Sequence, residues 1–228
     1  VLIHSMSKNL INNKKLAVIG CSGLVGSSIV RCALEKGYEV NGTMRNIEDN
    51  AKIKYLKKLK NFKKLNLFKA EMSNENDFNF CLQDISTLFI ACLVPTYKGF
   101  DGTLAKELDD KRGYDEIINP TVNGCLNILK SAKKLEVKNV VICSSTSSTN
   151  PIPPVPIKNE IDHWSDEVEQ CKSKKYTSAT KTIMEKSALK FCNDNNIRLS
   201  IILPTGLYGD AVLPDHICLL YTSDAADE

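Results

Sequence analysis

The segment KKYTSATKT holds a tyrosine and a lysine, Tyr176 and Lys181, where the pattern predicts the start of a helix. Hydride delivery to a carbonyl leaves an alkoxide, which needs a proton donor. A tyrosine has an ordinary pKa near ~10, and a nearby ammonium lowers it by favouring the phenolate. Two such residues share a helix face when they stand four apart. Here they stand five apart, a rotation of roughly 140°, so the segment predicts acid chemistry in an unusual register.

A second candidate is the segment GCSGLVG, which contains Gly20, Gly23 and Gly26. It follows a predicted strand and opens a predicted helix, the context of a dinucleotide-binding turn. The first glycine permits a tight turn, the second lets backbone N–H groups approach a pyrophosphate, and the third lets helix and strand pack closely. The helix N-terminus adds partial positive charge. The segment predicts a phosphate-binding site.

The end of the next predicted strand bears on the choice of cofactor. A site for NAD would place an acidic residue there to accept hydrogen bonds from the ribose hydroxyls, but the sequence has Thr43, Met44 and Arg45. A guanidinium suits bidentate recognition of a 2′-phosphate, and Lys52 is placed to join it. The sequence favours NADP over NAD.

Apolar strands alternate with amphipathic helices along the chain, which indicates a parallel sheet with helices on both faces. With the glycine turn, this predicts an α/β fold with a Rossmann-type doubly wound parallel sheet. A serine cluster follows the fifth strand, and its place at the carboxyl edge of the sheet makes Ser145 a candidate ligand. The predicted strands are 16–19, 38–44, 65–69, 88–91, 140–143 and 199–203, and the predicted helices are 24–35, 48–60, 74–82, 114–135 and 177–193.

Composition is ordinary for a globular domain, with 43% hydrophobic and 25% charged residues among 228. No apolar run is long enough for a membrane span. The nine cysteines form no C-x-x-C pair, which suits a reduced, cytoplasmic setting. The three histidines are dispersed, so no metal site is expected. The lysine-rich stretch 52–69 is interpreted as a solvated helix face with the apolar residues Ile53, Leu56 and Leu59, and nucleic-acid binding is not expected.

The two ends need separate treatment. The chain starts at Val1, and residues 1–15 are predicted to be a disordered extension. The last segment, CLLYTSDAADE over 218–228, is interpreted as the translation of a transposon-type sequencing adapter and is set aside. We therefore expect one nucleotide-binding domain over 16–217, incomplete at its C-terminus, with most of a substrate lobe missing.

The run VIGCSGLVGSSIVRCALEKGYEVNGTMRN resembles the opening of the extended short-chain dehydrogenase/reductases. Within them it is most similar to the dihydroflavonol reductase and cinnamoyl-CoA reductase-like group, which has the NAD-dependent epimerase/dehydratase type of fold. The resemblance continues through LFKAEMSNENDF, NPTVNGCLNILKSAKK, NVVICSSTSS, KTIMEKSALKFCNDNNI and ILPTGLYGD, and covers nearly all of residues 16–210.

This resemblance implies roles for individual residues. Ser145 matches the serine that hydrogen-bonds the substrate carbonyl, and Lys181 matches the lysine that holds the nicotinamide ribose. Glu71 and Met72 stand where the group usually has Asp-Leu beside the adenine. The implied cofactor contacts are Gly20, Ser22, Gly23, Leu24, Val25, Gly26, Arg45, Lys52, Glu71, Met72, Ala91, Cys92, Leu93, Lys181, Pro204 and Thr205.

The same match leaves the proton donor open. With Lys181 in the lysine position, Thr177 falls where the tyrosine should be, and Tyr176 comes one place early. An aliphatic hydroxyl is far too weak an acid to replace a phenol. Three explanations stand: Tyr176 reaches the site through a local bulge, the protein binds NADP with little or no reductase activity, or a sequencing error altered these codons.

The functional expectation follows from these residues. It is a cytoplasmic, NADP-dependent oxidoreductase that reduces the carbonyl of a small organic substrate, with Ser145, Tyr176 and Lys181 as catalytic candidates. The alternative is a catalytically weak NADP-binding sensor or partner protein. The residues indicate nothing about the oligomeric state.

Overall fold

The computed structural model describes residues 14–216, so the expectations for the N-terminal extension up to residue 13 and for the 218–228 tail lie outside the described residues. The strands are β1 (Lys15–Ile19), β2 (Glu39–Met44), β3 (Leu65–Lys69), β4 (Thr87–Ile90), β5 (Asn139–Cys143) and β6 (Arg198–Ile202). They form one parallel sheet in the order β3-β2-β1-β4-β5-β6. This confirms the predicted Rossmann-type doubly wound sheet.

The strand order reverses at β1, which pairs with β2 on one side and β4 on the other. At its carboxyl end Ile19 lies opposite both Thr43 of β2 and Ile90 of β4. The connections that leave β1 and β4 run to opposite faces of such a sheet, so a crevice opens between the two strand ends. The fold therefore places the glycine turn in the position where nucleotides bind in α/β sheets.

The helices differ from prediction mainly at their ends. The predicted helix 48–60 is shorter because the Asp49 side chain caps it by accepting from the Lys52 amide, and the predicted helix 74–82 is a 3₁₀ turn over Glu75–Phe78. A further helix, Glu167–Lys172, begins after Asp166 and was not predicted from the sequence. The helices are α1 (Leu24–Glu35), α2 (Asn50–Leu56), α3 (Asp110–Arg112), α4 (Asn119–Lys134), α5 (Glu167–Lys172) and α6 (Tyr176–Asp194).

The predicted helix 114–135 also has an irregular beginning. The segment Gly113–Ile118 is π-helical and joins α3 to α4. Pro120, in the first turn of α4, has no N–H to bond to the carbonyl one turn earlier, and this loss accounts for the wider turn before it.

Apolar side chains fill both faces of the sheet. Ala17 and Ile19 of β1 belong to one core, under α4 and α6, whereas Leu16 and Val18 belong to the other, under α1 and α2. Successive side chains of a strand point to opposite faces, so all four positions must be apolar. In the lysine-rich stretch 52–69, the apolar side chains Ile53 and Leu56 are likewise buried. Among residues 14–216, no helix is long and apolar enough to cross a membrane.

Candidate functional site

A cleft of about 1170 Å³ opens at the carboxyl edge of the sheet, between the ends of β1 to β4 and the start of α4. Its walls come from segments far apart in the sequence, which the parallel sheet brings to one edge. Among the residues predicted to contact a cofactor, those that line the cleft are Gly20, Ser22, Gly23, Leu24, Val25, Arg45, Lys52, Glu71, Met72, Ala91 and Cys92.

The glycine turn is shaped by close backbone approaches. Gly20 has φ +84, and a Cβ there would lie 2.7 Å from the Cβ of Cys92. A Cβ on Gly26 would lie 2.1 Å from the carbonyl oxygen of Gly20, so helix α1 can start here only with glycine at that position. The Gly20 amide donates to the Thr43 hydroxyl at 3.2 Å, which ties the turn to the end of β2. Gly26 thus supports the turn from behind, outside the cleft wall.

Two basic side chains stand at the wall beyond β2. Arg45 is exposed, directly after the buried Met44, and no acidic side chain within residues 14–216 forms a salt bridge with it. Lys52 is half-buried, and its ammonium lies 3.8 Å from the Asp49 carboxylate. The carboxylate of Asp49 is thus engaged at the start of α2. This corner of the cleft is positively charged.

The opposite wall carries the Glu71–Met72 pair. Met72 packs against α4, where a Cβ added to Gly124 would lie 2.8 Å from the Cβ of Met72. Its sulfur lies 3.5 Å from the Cys92 thiol, and its carbonyl accepts from the Asn127 side chain at 3.0 Å. Met72 therefore sets the width of the cleft between β3, β4 and α4.

Lys181 and Ser145 lie at the carboxyl ends of neighbouring strands. Lys181 is buried, its ammonium donates to the carbonyl of Leu93 just beyond β4, and burial lowers its pKa. Ser145 follows β5, and its hydroxyl accepts from the Ser147 amide at 3.3 Å. Pro204 lies beside this turn because its carbonyl accepts from the Thr146 amide at 3.3 Å, and Thr205 next to it is exposed. The structure thus gathers these residues at the same edge as the cleft, beyond its β4 side.

Tyr176 is placed differently. It is fully buried, and its hydroxyl donates to the Asp110 carboxylate at 2.8 Å. Its ring fills the space beside Gly113, where a Cβ would lie 2.5 Å from the ring. Burial and the Asp110 carboxylate raise the pKa of this phenol, the opposite of the lowering expected from the sequence. Helix α6 runs regularly from Tyr176 onward without a bulge. The role of Tyr176 as a proton donor therefore stays a prediction, and this arrangement does not support it.

We expect Tyr176→Phe to lower the free energy of unfolding by about 1.5–3 kcal/mol, the usual value of a hydrogen bond to a charged group. NADPH affinity should stay the same, because the ring remains and the hydroxyl does not face the cleft. Urea unfolding and a cofactor titration measure the two effects, with the exposed Tyr97→Phe as the matched control. Unchanged stability combined with lost carbonyl reduction would instead identify Tyr176 as the acid.

Two residues of this region went unnoticed in the sequence. His216 lines the cleft, is 6% exposed, and its Nδ1 has no hydrogen-bond partner among the described residues. Burial lowers its pKa, and the neighbouring Ser22 backbone opposes that shift. Glu185 is 2% exposed and accepts a hydrogen bond from Ser144. The only signal for Glu185 was a charge one helical turn after Lys181, and for His216 there was none.

Comparisons with known proteins bear on the family of the chain. Residues 16–218 match the model of the NAD dependent epimerase/dehydratase family. A bifunctional dihydroflavonol 4-reductase/flavanone 4-reductase of Malus domestica is 33% identical over 209 residues, which make up 89% of this chain and 56% of the relative. An anthocyanidin reductase of Arabidopsis thaliana is 29% identical and is covered to 58%, with 89% of this chain aligned. The chain thus spans little more than half the length of these relatives.

Solved structures give the same fold. Vestitone reductase from alfalfa (Medicago sativa) superposes with a TM-score of 0.65 at 26% identity, over 88% of this chain and 59% of that one. Yeast methylglyoxal/isovaleraldehyde reductase, solved with NADPH, superposes with a TM-score of 0.62 at 22% identity, over 86% and 59%. The chain therefore shares its fold with these reductases.

Proposed function

The chain belongs to the NAD dependent epimerase/dehydratase family, and from this premise we propose that its gene product is an NADP-dependent oxidoreductase. It reduces the carbonyl of a small organic substrate by hydride transfer, in the manner of dihydroflavonol and cinnamoyl-CoA reductases. The observation that carries the proposal is the glycine turn at the crevice between β1 and β4, with Arg45 at the adjoining end of β2. We place the protein in the cytoplasm, which the eight free cysteines of the described residues support.

The residues present fit a dinucleotide. Side chains at Gly20 or Gly26 would collide with backbone or with Cys92, so glycine at both positions lets the turn and helix α1 pack this closely. Helix α1, 12 residues long, starts here with no acidic residue in its first turn. Its N-terminal amides and dipole favour a pyrophosphate.

Arg45 and Lys52 support NADP rather than NAD. Neither Thr43 nor Met44 offers a carboxylate to the ribose hydroxyls at the end of β2. The Arg45 guanidinium, exposed and without a salt bridge in the described part of the chain, is free to pair with a 2′-phosphate. The same charges would gain nothing from a ribose hydroxyl.

A bound nicotinamide supplies the hydride, and the chain's own residues do the rest. The Ser145 hydroxyl donates to the substrate carbonyl and stabilises the negative charge that develops on its oxygen. The Lys181 ammonium, held by the Leu93 carbonyl, binds the nicotinamide ribose and favours anionic groups nearby. Protonation of the alkoxide needs a further donor, for which Tyr176 is the nearest phenol in the sequence.

A second candidate is a catalytically weak NADP-binding sensor or partner protein. It is favoured by the burial of Tyr176 against Asp110 and by Thr177 at four residues before Lys181. Neither Tyr176 nor Thr177 therefore brings a phenol to the Ser145–Lys181 edge.

NADPH oxidation by the complete gene product separates the two candidates. A dihydroflavonol, an aromatic aldehyde and an aliphatic diketone are offered at saturating NADPH, with NADPH binding measured in parallel. Carbonyl-dependent oxidation supports the reductase. NADPH binding without oxidation of any of the three supports the sensor, and absence of binding contradicts both.

A further inference from the structure

Helix α6 carries two charged side chains into the interior, Lys181 at 8% exposure and Glu185 at 2%. They are four residues apart, so they lie one above the other on one face of the helix. An ionised group is costly to bury unless it is paired. The proposed reaction uses Lys181 but has so far given Glu185 no part.

The Glu185 carboxylate holds the turn that presents Ser145. Its Oε1 accepts a hydrogen bond from the Ser144 hydroxyl, and the Ser148 hydroxyl lies beside the same carboxylate. Ser148 in turn donates from its hydroxyl to the Ser145 carbonyl at 3.0 Å. The carboxylate therefore holds the residue before Ser145 through Ser144, and the Ser148 hydroxyl closes the same turn from its other end.

Glu185 also differs from every other acidic group near Lys181. The others that act on the ammonium are thiols: Cys143 of β5, Cys92 after β4 and Cys125 of α4. Burial raises the pKa of each thiol, that of Cys92 to about 12, so all three are neutral near pH 7. Glu185 is the carboxyl that stands one helical turn from Lys181 on α6, and its charge favours the Lys181 ammonium.

We propose that Glu185 is a positioning residue, whose single buried carboxylate sets the Ser145 turn and keeps Lys181 in its ammonium form. This inference rests on the proposed function, because it assigns Glu185 to the same site. Glu185 touches neither substrate nor cofactor and acts through the two residues that do.

The charges support this assignment. Burial lowers the pKa of Lys181, and the Glu185 carboxylate opposes that shift. Burial likewise raises the pKa of Glu185, and the hydrogen bond from Ser144, the neighbouring Ser148 hydroxyl and the Lys181 ammonium oppose that shift. Below its pKa Lys181 is an ammonium, and the ammonium is lost as the pH rises through that value. Without the carboxylate, Lys181 loses its proton at a lower pH.

The test is the NADPH dissociation constant as a function of pH for wild type, Glu185→Gln, Glu185→Asp and Asp194→Asn. Asp194 is an exposed carboxylate on the same helix, paired with Lys190, and serves as the control. We expect the alkaline loss of affinity to move to lower pH by about one unit or more in Glu185→Gln, by less in Glu185→Asp, and not at all in Asp194→Asn. If Glu185→Gln does not fold, Glu185→Asp carries the test.

If the folded Glu185 variants lose NADPH affinity at the same high pH as wild type, the inference is overturned, even if these variants are less stable. A carboxylate with a purely structural role would change the stability and leave the pH dependence of NADPH affinity unchanged. Failure of the proposed function looks different, since wild type itself would then bind no NADPH at any pH.

Discussion

Replacement of Arg45 by alanine is expected to weaken NADPH binding by about 10- to 100-fold and to leave NADH binding within about twofold. Hydrogen bonds to a charged group contribute about 1.5–3 kcal/mol, and each 1.4 kcal/mol corresponds to about tenfold in affinity. Only NADPH carries the 2′-phosphate that this guanidinium would contact. The variant therefore changes cofactor preference rather than cofactor binding as a whole.

The structure provides a matched control for this experiment. Arg198 is also an exposed arginine that borders a strand, but it starts β6 at the amino edge of the sheet, away from the cleft. Arg198→Ala should leave both affinities unchanged, and both variants should unfold like wild type because neither side chain is buried. Equal losses of NADPH and NADH affinity in Arg45→Ala would assign Arg45 to the shared part of the cofactor. If Arg45→Ala lowers neither the NADPH affinity nor the NADH affinity, Arg45 does not belong to the cofactor site.

The second large expected effect is a gain of reductase activity. We expect Thr177→Tyr to raise carbonyl-dependent NADPH oxidation by the complete gene product about 100-fold or more, the usual contribution of a positioned general acid. Thr177 is half-buried and lies four residues before Lys181 on α6, so a phenol there shares the lysine's helix face. The nearby ammonium would lower its pKa toward a useful range, whereas Asp110 raises that of Tyr176.

Ser178→Tyr is the control for this gain. It adds the same side chain one residue later, about 100° further around the helix, on a position that is also half-buried. Steady-state rates at saturating NADPH should rise in Thr177→Tyr alone. If Thr177→Tyr is no faster than wild type while binding NADPH normally, the missing phenol is not what limits the reaction. The supply of protons then comes from elsewhere in the site.

Much of the fold was visible in the sequence because its signals were local. Strand β1 is a short apolar run buried on both faces, and its side chains alternate between two cores, which requires an apolar residue at Leu16, Ala17, Val18 and Ile19. The glycines of the turn are constrained by contacts with the adjoining backbone and with Cys92, so their spacing predicts their place. The first helix matched its prediction because its start is set by the same turn.

What the sequence did not reveal depends on contacts between distant segments. Tyr176 donates to Asp110, 66 residues earlier in the chain, and nothing in KKYTSATKT indicates that partner. The role of Glu185 depends on its hydrogen bond from Ser144, 41 residues away in the chain. His216 reads as an isolated histidine until the chain after β6 returns to Ser22. Side-chain direction and burial of polar groups are set by tertiary packing, which residue spacing alone does not encode.

The most direct test of the account is a calorimetric titration of this chain with NADPH and with NADH. The cleft, the glycine turn and Arg45 together predict one bound dinucleotide per chain, with NADPH tighter than NADH by about tenfold or more. No heat of binding with either cofactor at concentrations of about 1 mM, the weak end of nucleotide affinities, would contradict the nucleotide site. Equal affinities would retain the site and contradict the assignment of Arg45 to a 2′-phosphate.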